Sequence, residues 1–245
     1  MDAPSRPSGI VLDRASVAFF GKTVLHEITL HLDQHRVAIL GRNGSGKTTL
    51  LRVIAGLQPL TLGRVRVDGI DPQADRKDML THLGILFQNP DRQILFPTVG
   101  EELAFGLTQQ GLAKPEAEAR VQAHLAQHGR ENWFKASIST LSQGQRQWLC
   151  LQAVLLMQPR TILLDEPFAA LDLPTQIRLR RILAELPQRL ITVTHDPATA
   201  ELADHVVWIE QGRVHAQGRP DQVLPAFQAE MRRLGESDAD ADIAD

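Results

Sequence analysis

The sequence predicts an α/β fold with a mainly parallel core sheet, and three observations predict it. A glycine-rich loop stands between the apolar run Val37-Ala38-Ile39-Leu40 and the helix-forming stretch that starts at Thr49; short apolar runs alternate with helical stretches from about residue 160 onward; and the residues ahead of the loop read as strands. Short, continuously apolar strands alternating with helices belong to a parallel sheet covered on both faces. A chain of 245 residues suits one such domain, with a core and a small subdomain.

Taken in order, residues 1–9 carry two prolines, two serines and a glycine, and residues 236–245 are acidic and small, so both ends are expected to be disordered. The folded domain is expected over residues 10–235. Ile10-Val11-Leu12, Ser16-Val17-Ala18-Phe19 and Ile28-Thr29-Leu30-His31-Leu32 read as short strands separated by turn residues, an N-terminal antiparallel β subdomain. Beyond the loop, the first helix ends at Gly56, and Gly63 to Gly69 alternates as a strand does. Gly84-Ile85-Leu86-Phe87-Gln88 is a buried strand ending in a polar residue. From Val99 the character turns helical, with segments at Glu101 to Phe105, Pro115 to His128 and Ser142 to Met157, an inserted α-helical subdomain over about residues 91–158. The alternating pattern then returns with a strand at Thr161 to Glu166, a helix at Pro174 to Leu186, a strand at Leu190 to Val193 and a short helix after Pro197. Val206 to Ile209 and Arg213 to Ala216 make a closing hairpin.

Composition excludes several classes. The net charge is −3, so no global basic field points to nucleic acid. No apolar stretch approaches the roughly 18 residues a spanning helix needs, and Met1 to Gly9 lacks the apolar core of a secretion signal. Cys150 is the single cysteine, which rules out an internal disulfide and fits a reducing compartment; its neighbours Leu149 and Leu151 predict a buried structural thiol. His124 and His128 share a helix face at the spacing of a metal pair, but with no third ligand in reach they read as a solvated face.

The loop itself, Gly41-Arg42-Asn43-Gly44-Ser45-Gly46-Lys47-Thr48, has the pattern G-x-x-x-x-G-K-[ST] between a strand and a helix. Glycines there let successive backbone N–H groups turn inward around an anion at the positive end of a helix. Gly41, Arg42, Asn43, Gly44, Ser45, Gly46, Lys47, Thr48 and Thr49 are the candidate triphosphate-binding set, with Lys47 on the outer phosphates and the Thr48 hydroxyl on Mg²⁺. Leu163-Leu164-Asp165-Glu166 puts two carboxylates at the end of an apolar strand, where parallel sheets place ligands. Asp165 is the candidate Mg²⁺ partner, and Glu166 is placed to orient or deprotonate an attacking water. Thr194-His195-Asp196 follows the next strand in the same way.

Leu141-Ser142-Gln143-Gly144-Gln145 supplies a hydroxyl, a glycine and a helix start, with Ser142 a plausible N-cap. It resembles the LSGGQ signature of ATP-binding cassette (ABC) ATPases, with Gln143 in place of the commoner first glycine, and the resemblance covers about residues 10–230. It implies a P-loop ATPase whose cofactors are ATP and Mg²⁺, and in which Ser142, Gly144 and Gln145 grip the nucleotide bound on an opposite subunit. In that family the residue matching His195 contacts the γ-phosphate, the residue matching Gln88 touches Mg²⁺ or water, and Phe168-Ala169-Ala170-Leu171-Asp172 is the dimer-contacting loop. The family stacks adenine on an aromatic ring from the early sheet, and because the chain has no tyrosine the ring is expected to be Phe19, with Phe20 the alternative.

Phe87 to Gly106 looks like the corresponding stretch of energy-coupling factor (ECF) ATPases, which power uptake of vitamins and transition metals. Leu141 to Gln147, Asp165 to Phe168 and Leu171 to Thr175 are most similar to biotin-uptake members, with cobalt or nickel systems the runner-up. The resemblance implies a homodimer or paired cassette at the cytoplasmic face of the cell membrane. Its partners would be a transmembrane coupling subunit and a substrate-capturing membrane subunit. ABC-type ATPases that act on DNA carry a long coiled coil, and the interval between Thr48 and Leu141 shows no sustained heptads, so no nucleic acid is expected.

Overall fold

A computed structural model describes residues 9–169 and 171–236. The expected disordered ends lie outside the described residues, except for Gly9, which is buried and bonded to Asp68, and Glu236, which is helical rather than part of a tail.

The N-terminal sheet contains β1 (Ile10–Phe19), β2 (Lys22–Leu32) and β4 (Leu62–Val67), antiparallel in the order β2-β1-β4. One continuous strand stands where two were expected, because Asp13-Arg14 is a bulge and not a turn. Ile10 and Leu12 face inward, the register shifts at Arg14 with φ 46°, and Ala15 and Val17 face inward again. A one-residue slip would otherwise turn every later side chain to the wrong face. The same device at Glu27, φ 47°, keeps Leu25 buried along with Ile28, Leu30 and Leu32. Phe20 and Gly21, both left-handed, make the tight turn between these strands.

The core sheet has the order β5 (Leu83–Leu86), β6 (Thr161–Asp165), β7 (Arg189–Thr194), β3 (Arg36–Leu40), β8 (His205–Glu210), β9 (Arg213–Gly218); its neighbours are parallel until β9, which returns antiparallel. Its two faces divide by residue parity. Val37 and Ile39 pack with α1 (Lys47–Ile54) and the antiparallel sheet, whereas Ala38 and Leu40 pack with Trp208 and with Val223, Leu224 and Phe227 of α8 (Pro220–Glu236). Gly56 follows α1 at φ 69°, and a Cβ there would stand 2.2 Å from the Pro72 carbonyl oxygen, so only glycine fits the turn. The short α2 (Arg76–His82) and the long α8 are additions to the expected elements.

The helical segments are α3 (Val99–Gln109), α4 (Lys114–Gln127) and α5 (Gln143–Leu156), which share an apolar cluster including Leu103, Leu107, Val121 and Leu125. Helix α5 serves two cores at once. Leu149 and Leu156 join the helical cluster, while Cys150, Leu151 and Val154 pack on Leu86, Ile162 and Leu164 of the sheet. Two further helices, α6 (Leu173–Glu185) and α7 (Pro197–Ala200), follow β6 and β7. His128 is exposed and His124 half-buried, with the His124 ring bonded to Gln152 at 2.8 Å and the His128 ring edge-on against His124 and Trp148. Among the described residues no three His, Cys, Asp or Glu side chains come together as a metal-binding group, and no helix is long and apolar enough to cross a membrane.

Cys150 is fully buried, and that burial, reinforced by the charges of Glu102 and Asp91, pushes its thiol up to about 12. The thiolate is the reactive form. A maleimide at about pH 8 is therefore expected to leave the native chain unlabelled and to label it fully in denaturant. Native labelling at the rate of a free cysteine would contradict this packing.

Candidate functional site

The parallel sheet aligns its carboxyl ends on one edge, and the predicted residues lie along it. Gly41 follows β3, Asp165 closes β6, His195 follows β7, and Gln88 stands two residues beyond β5, which ends at Leu86 rather than at Gln88 itself. Helix α1 begins at Lys47, after Gly46 at φ 105°. No described side chain caps that end and no acidic residue lies in its first turn, so the N–H groups and positive end stay open to an anion.

Lys47 is 6% exposed and its Nζ donates to the carbonyl oxygens of Gly41 and Arg42, both at 2.8 Å. Burial lowers the affinity of its amine for a proton, while the carboxylates of Glu166, Asp165 and Glu210 oppose that shift. The Ser45 hydroxyl is buried without a partner among the described residues. A buried orphan hydroxyl costs free energy until a ligand atom satisfies it, so the loop suits phosphate oxygens. Thr48 Oγ1 lies 3.4 Å from Asp165 Oδ1. Burial, and then the neighbouring Glu166 charge, raise the Asp165 carboxyl above its ordinary range, against the pull of Thr48, Arg52 and Lys47. A cation placed between Thr48 and Asp165 would relieve that crowding, and hard oxygen donors of this kind suit Mg²⁺.

Glu166 takes a left-handed backbone, φ 46°, and its N–H donates to the Val193 carbonyl of the adjoining strand. That conformation turns its side chain toward His195, whose Nδ1 lies 2.8 Å from Glu166 Oε1. A carboxylate only accepts, so Nδ1 is the donor in this contact. The side chain of Glu166 is 14% exposed and that of His195 57%, a sheltered carboxylate beside an accessible imidazole.

A cavity of about 380 Å³ is lined by Asn43, Gly44, Gly46, Lys47, Thr48, Thr49, Gln88, Glu166 and His195, together with Val24. Phe19 and Phe20 are not among its lining residues. Phe19 is 39% exposed and Phe20 stands free at the turn, whereas Val24, two residues into β2, reaches the cavity. Reading β2 from Lys22 instead of Ile28 would have found Val24; the turn residues Phe20 and Gly21 were the available signal.

Ser142, Gly144 and Gln145 line a different cavity, of about 1010 Å³, between α5 and α6. Ser142 caps α5 in a reciprocal box: its Oγ accepts from the Gln145 N–H at 3.3 Å and its own N–H donates to Gln145 Oε1 at 2.7 Å. The Gln145 amide is thus engaged with the cap, whereas Ser142 remains exposed. Asp172, also on this cavity, caps α6 by accepting from the Thr175 N–H. Ala170 of the same loop lies outside the described residues. Arg146 reaches across to Asp91 at 3.1 Å, which ties α5 to the segment after Gln88, and buried Glu102 holds the N–H groups of Leu95 and Phe96 in that segment.

The parallel sheet, the glycine loop between β3 and α1, and the paired carboxylates at the end of β6, with β7 between the two strands, define a P-loop nucleoside triphosphatase. Residues 25–169 match the family described as ABC transporter. The biotin transport ATP-binding protein BioM of Rhodobacter capsulatus is 48% identical over 219 residues, 89% of this chain and 94% of that protein. Among solved structures, cbiO1 from Clostridium perfringens, described as part of the ABC transporter complex cbiONQ, superimposes with a TM-score of 0.76 and 29% identity, covering 95% of this chain and 96% of its own. The ATP-binding cassette MJ0796, solved as a dimer in a post-hydrolysis state with ADP and Pi, gives a TM-score of 0.72 and 25% identity over 86% of this chain and 98% of that one. The chain belongs to the ABC transporter family and is one of its ATP-binding cassettes, an ATPase.

Proposed function

We propose that this cassette hydrolyses ATP to drive an ECF-type importer whose cargo is biotin. The observation that carries the cargo is the likeness to BioM over nearly the full length of both chains. The cassette would sit at the cytoplasmic face of the membrane with a transmembrane coupling subunit and a substrate-capturing subunit. Residues 88–105 are the surface for the former, with Leu95 67% exposed at its tip. Residues 10–235 act as one cassette, with the helical part at about 91–158 bearing the signature.

Within the site, the amides of Gly41 to Thr49 and the Lys47 ammonium would hold the phosphates. Thr48, Asp165 and Gln88 would hold Mg²⁺, which when bound offsets charge on the outer phosphates. Glu166 would take the proton of the attacking water, and His195 would face the γ-phosphate from the accessible side. Ser142 and Gly144 would complete the site of a second cassette, which is supported by their separation from Lys47 into another cavity. Adenine would rest on the β1–β2 hairpin, where Phe20 offers an open ring face and Phe19 a partly covered one.

Lys47→Ala in the assembled transporter is expected to cut ATP-dependent uptake of labelled biotin by roughly a hundredfold. Undiminished uptake would refute the role of the loop. Loss of cobalt or nickel uptake in place of biotin would refute the cargo.

A further inference from the structure

We infer that Arg180 is a positioning residue that holds the two chain segments carrying Glu166 and His195 in register with each other. The inference rests on the reading of those two residues as the hydrolytic pair. Arg180 lies on α6, outside every motif of the sequence, and its guanidinium touches both segments. On one side it stacks over the ring of Phe168, 4.1 Å from the centroid, two residues after Glu166. On the other, Nη2 donates to Thr199 Oγ1 at 3.2 Å and lies 3.8 Å from Asp196 Oδ2, next to His195.

Each contact acts on a segment that is otherwise tightly tied. Asp196 accepts from the Ala198 and Thr199 N–H groups and from the Thr199 hydroxyl, and its own N–H donates to Thr194 Oγ1. A shift of Asp196 therefore carries His195 with it. On the Glu166 side, the Ala169 N–H donates to the Glu166 carbonyl, closing a turn around Pro167 and Phe168. Gln176, one turn before Arg180 on the same face of α6, donates from its amide to the carbonyl oxygens of Phe168 and Leu171. Helix α6 thus grips the Glu166 segment through Gln176 and Phe168, and the His195 segment through Asp196 and Thr199. Arg180 is the one side chain among these contacts that touches both.

The planar guanidinium is suited to this double role, because it can stack on a ring with its face and donate along its edge. A lysine keeps the charge toward Asp196 but loses the stack and the fork. Glu166 and His195 meet through a single 2.8 Å contact, so a small relative displacement of the segments separates them. Misplacement on the order of 1 Å at a reacting pair can cost about a hundredfold in rate.

The test measures steady-state ATP hydrolysis and nucleotide affinity of the full chain, at concentrations where cassettes pair. Arg180→Ala is expected to lower kcat by roughly tenfold to a hundredfold with KM for ATP within about twofold of the native value, and Arg180→Lys to recover part of the loss. Arg180→Gln, which keeps a planar edge donor without the charge, guards against an alanine variant that does not fold. If Glu166→Gln stops turnover while Arg180→Ala and Arg180→Gln hydrolyse at the native kcat, the positioning role is overturned and the hydrolytic pair stands. If Glu166→Gln itself turns over normally, the reading of the pair fails first. A loss in Arg180→Ala that falls on KM alone also overturns the proposal.

Discussion

Glu166→Gln is expected to bind ATP as the native chain does and to release phosphate at least about a hundredfold more slowly. The substitution keeps the shape of the side chain and a carbonyl oxygen that can still accept from His195 Nδ1, the contact now made at 2.8 Å. It removes the one property that proton abstraction needs, a basic oxygen. The phosphate loop is untouched, since Lys47 bonds to Gly41 and Arg42 and not to Glu166. Binding measured with a fluorescent nucleotide and turnover measured by phosphate release should therefore part company. Phosphate release at the native rate would sink the assignment of Glu166 as the base.

Ser142→Arg should abolish hydrolysis to a similar degree, although Ser142 does not line the cavity that holds Lys47. Within its own chain Ser142 only caps α5, and losing that cap costs about 1 kcal/mol, which leaves a folded protein. A folding defect of that size cannot stop turnover. The loss would instead come from the partner's nucleotide, which loses a hydroxyl and a helix N-terminus and meets a bulky cation in their place. ATP affinity of the isolated chain should stay near native, because the loop and its helix are intact. A Ser142→Arg chain that hydrolyses normally would mean that the signature plays no part in the site.

Much of this arrangement was legible in the sequence, for reasons that differ by element. The loop at Gly41 to Thr48 is readable because anion binding at a helix start demands glycine where φ is positive, as at Gly46 with φ 105°. Asp165 and His195 could be placed because each stands where a short apolar strand stops, and parallel strands stop together at one edge. The N-terminal strands were harder. Bulges at Arg14 and Glu27 break the period of two, so a continuous strand looks like two short ones and the start of β2 is hidden, along with Val24. Helix α8 is hard to read because Pro225 stands inside it, although Val223, Leu224 and Phe227 show its buried face.

Other features have no local signal at all. Cys150 could be read as buried from its two leucine neighbours, but nothing nearby says that α5 serves two cores. The stack of Arg180 on Phe168 and its reach to Asp196 join residues from three elements, and only the packed fold brings them together. The capping box does have a local signal, Ser142 and Gln145 three residues apart at a helix start, but the Gln145 side chain, expected to face the ligand, turns back to the cap.

The central claim is that one chain holds half of each ATP site. Mixing two inactive variants, Lys47→Ala and Ser142→Arg, tests it most directly. In a mixed pair the Ser142→Arg chain supplies an intact loop and the Lys47→Ala chain an intact signature, so one of the two sites is complete. Random pairing makes half of the dimers mixed, and hydrolysis should recover to as much as about a quarter of the native rate. Activity that stays at the sum of the two inactive samples, at concentrations where the native chain pairs, would contradict the shared site.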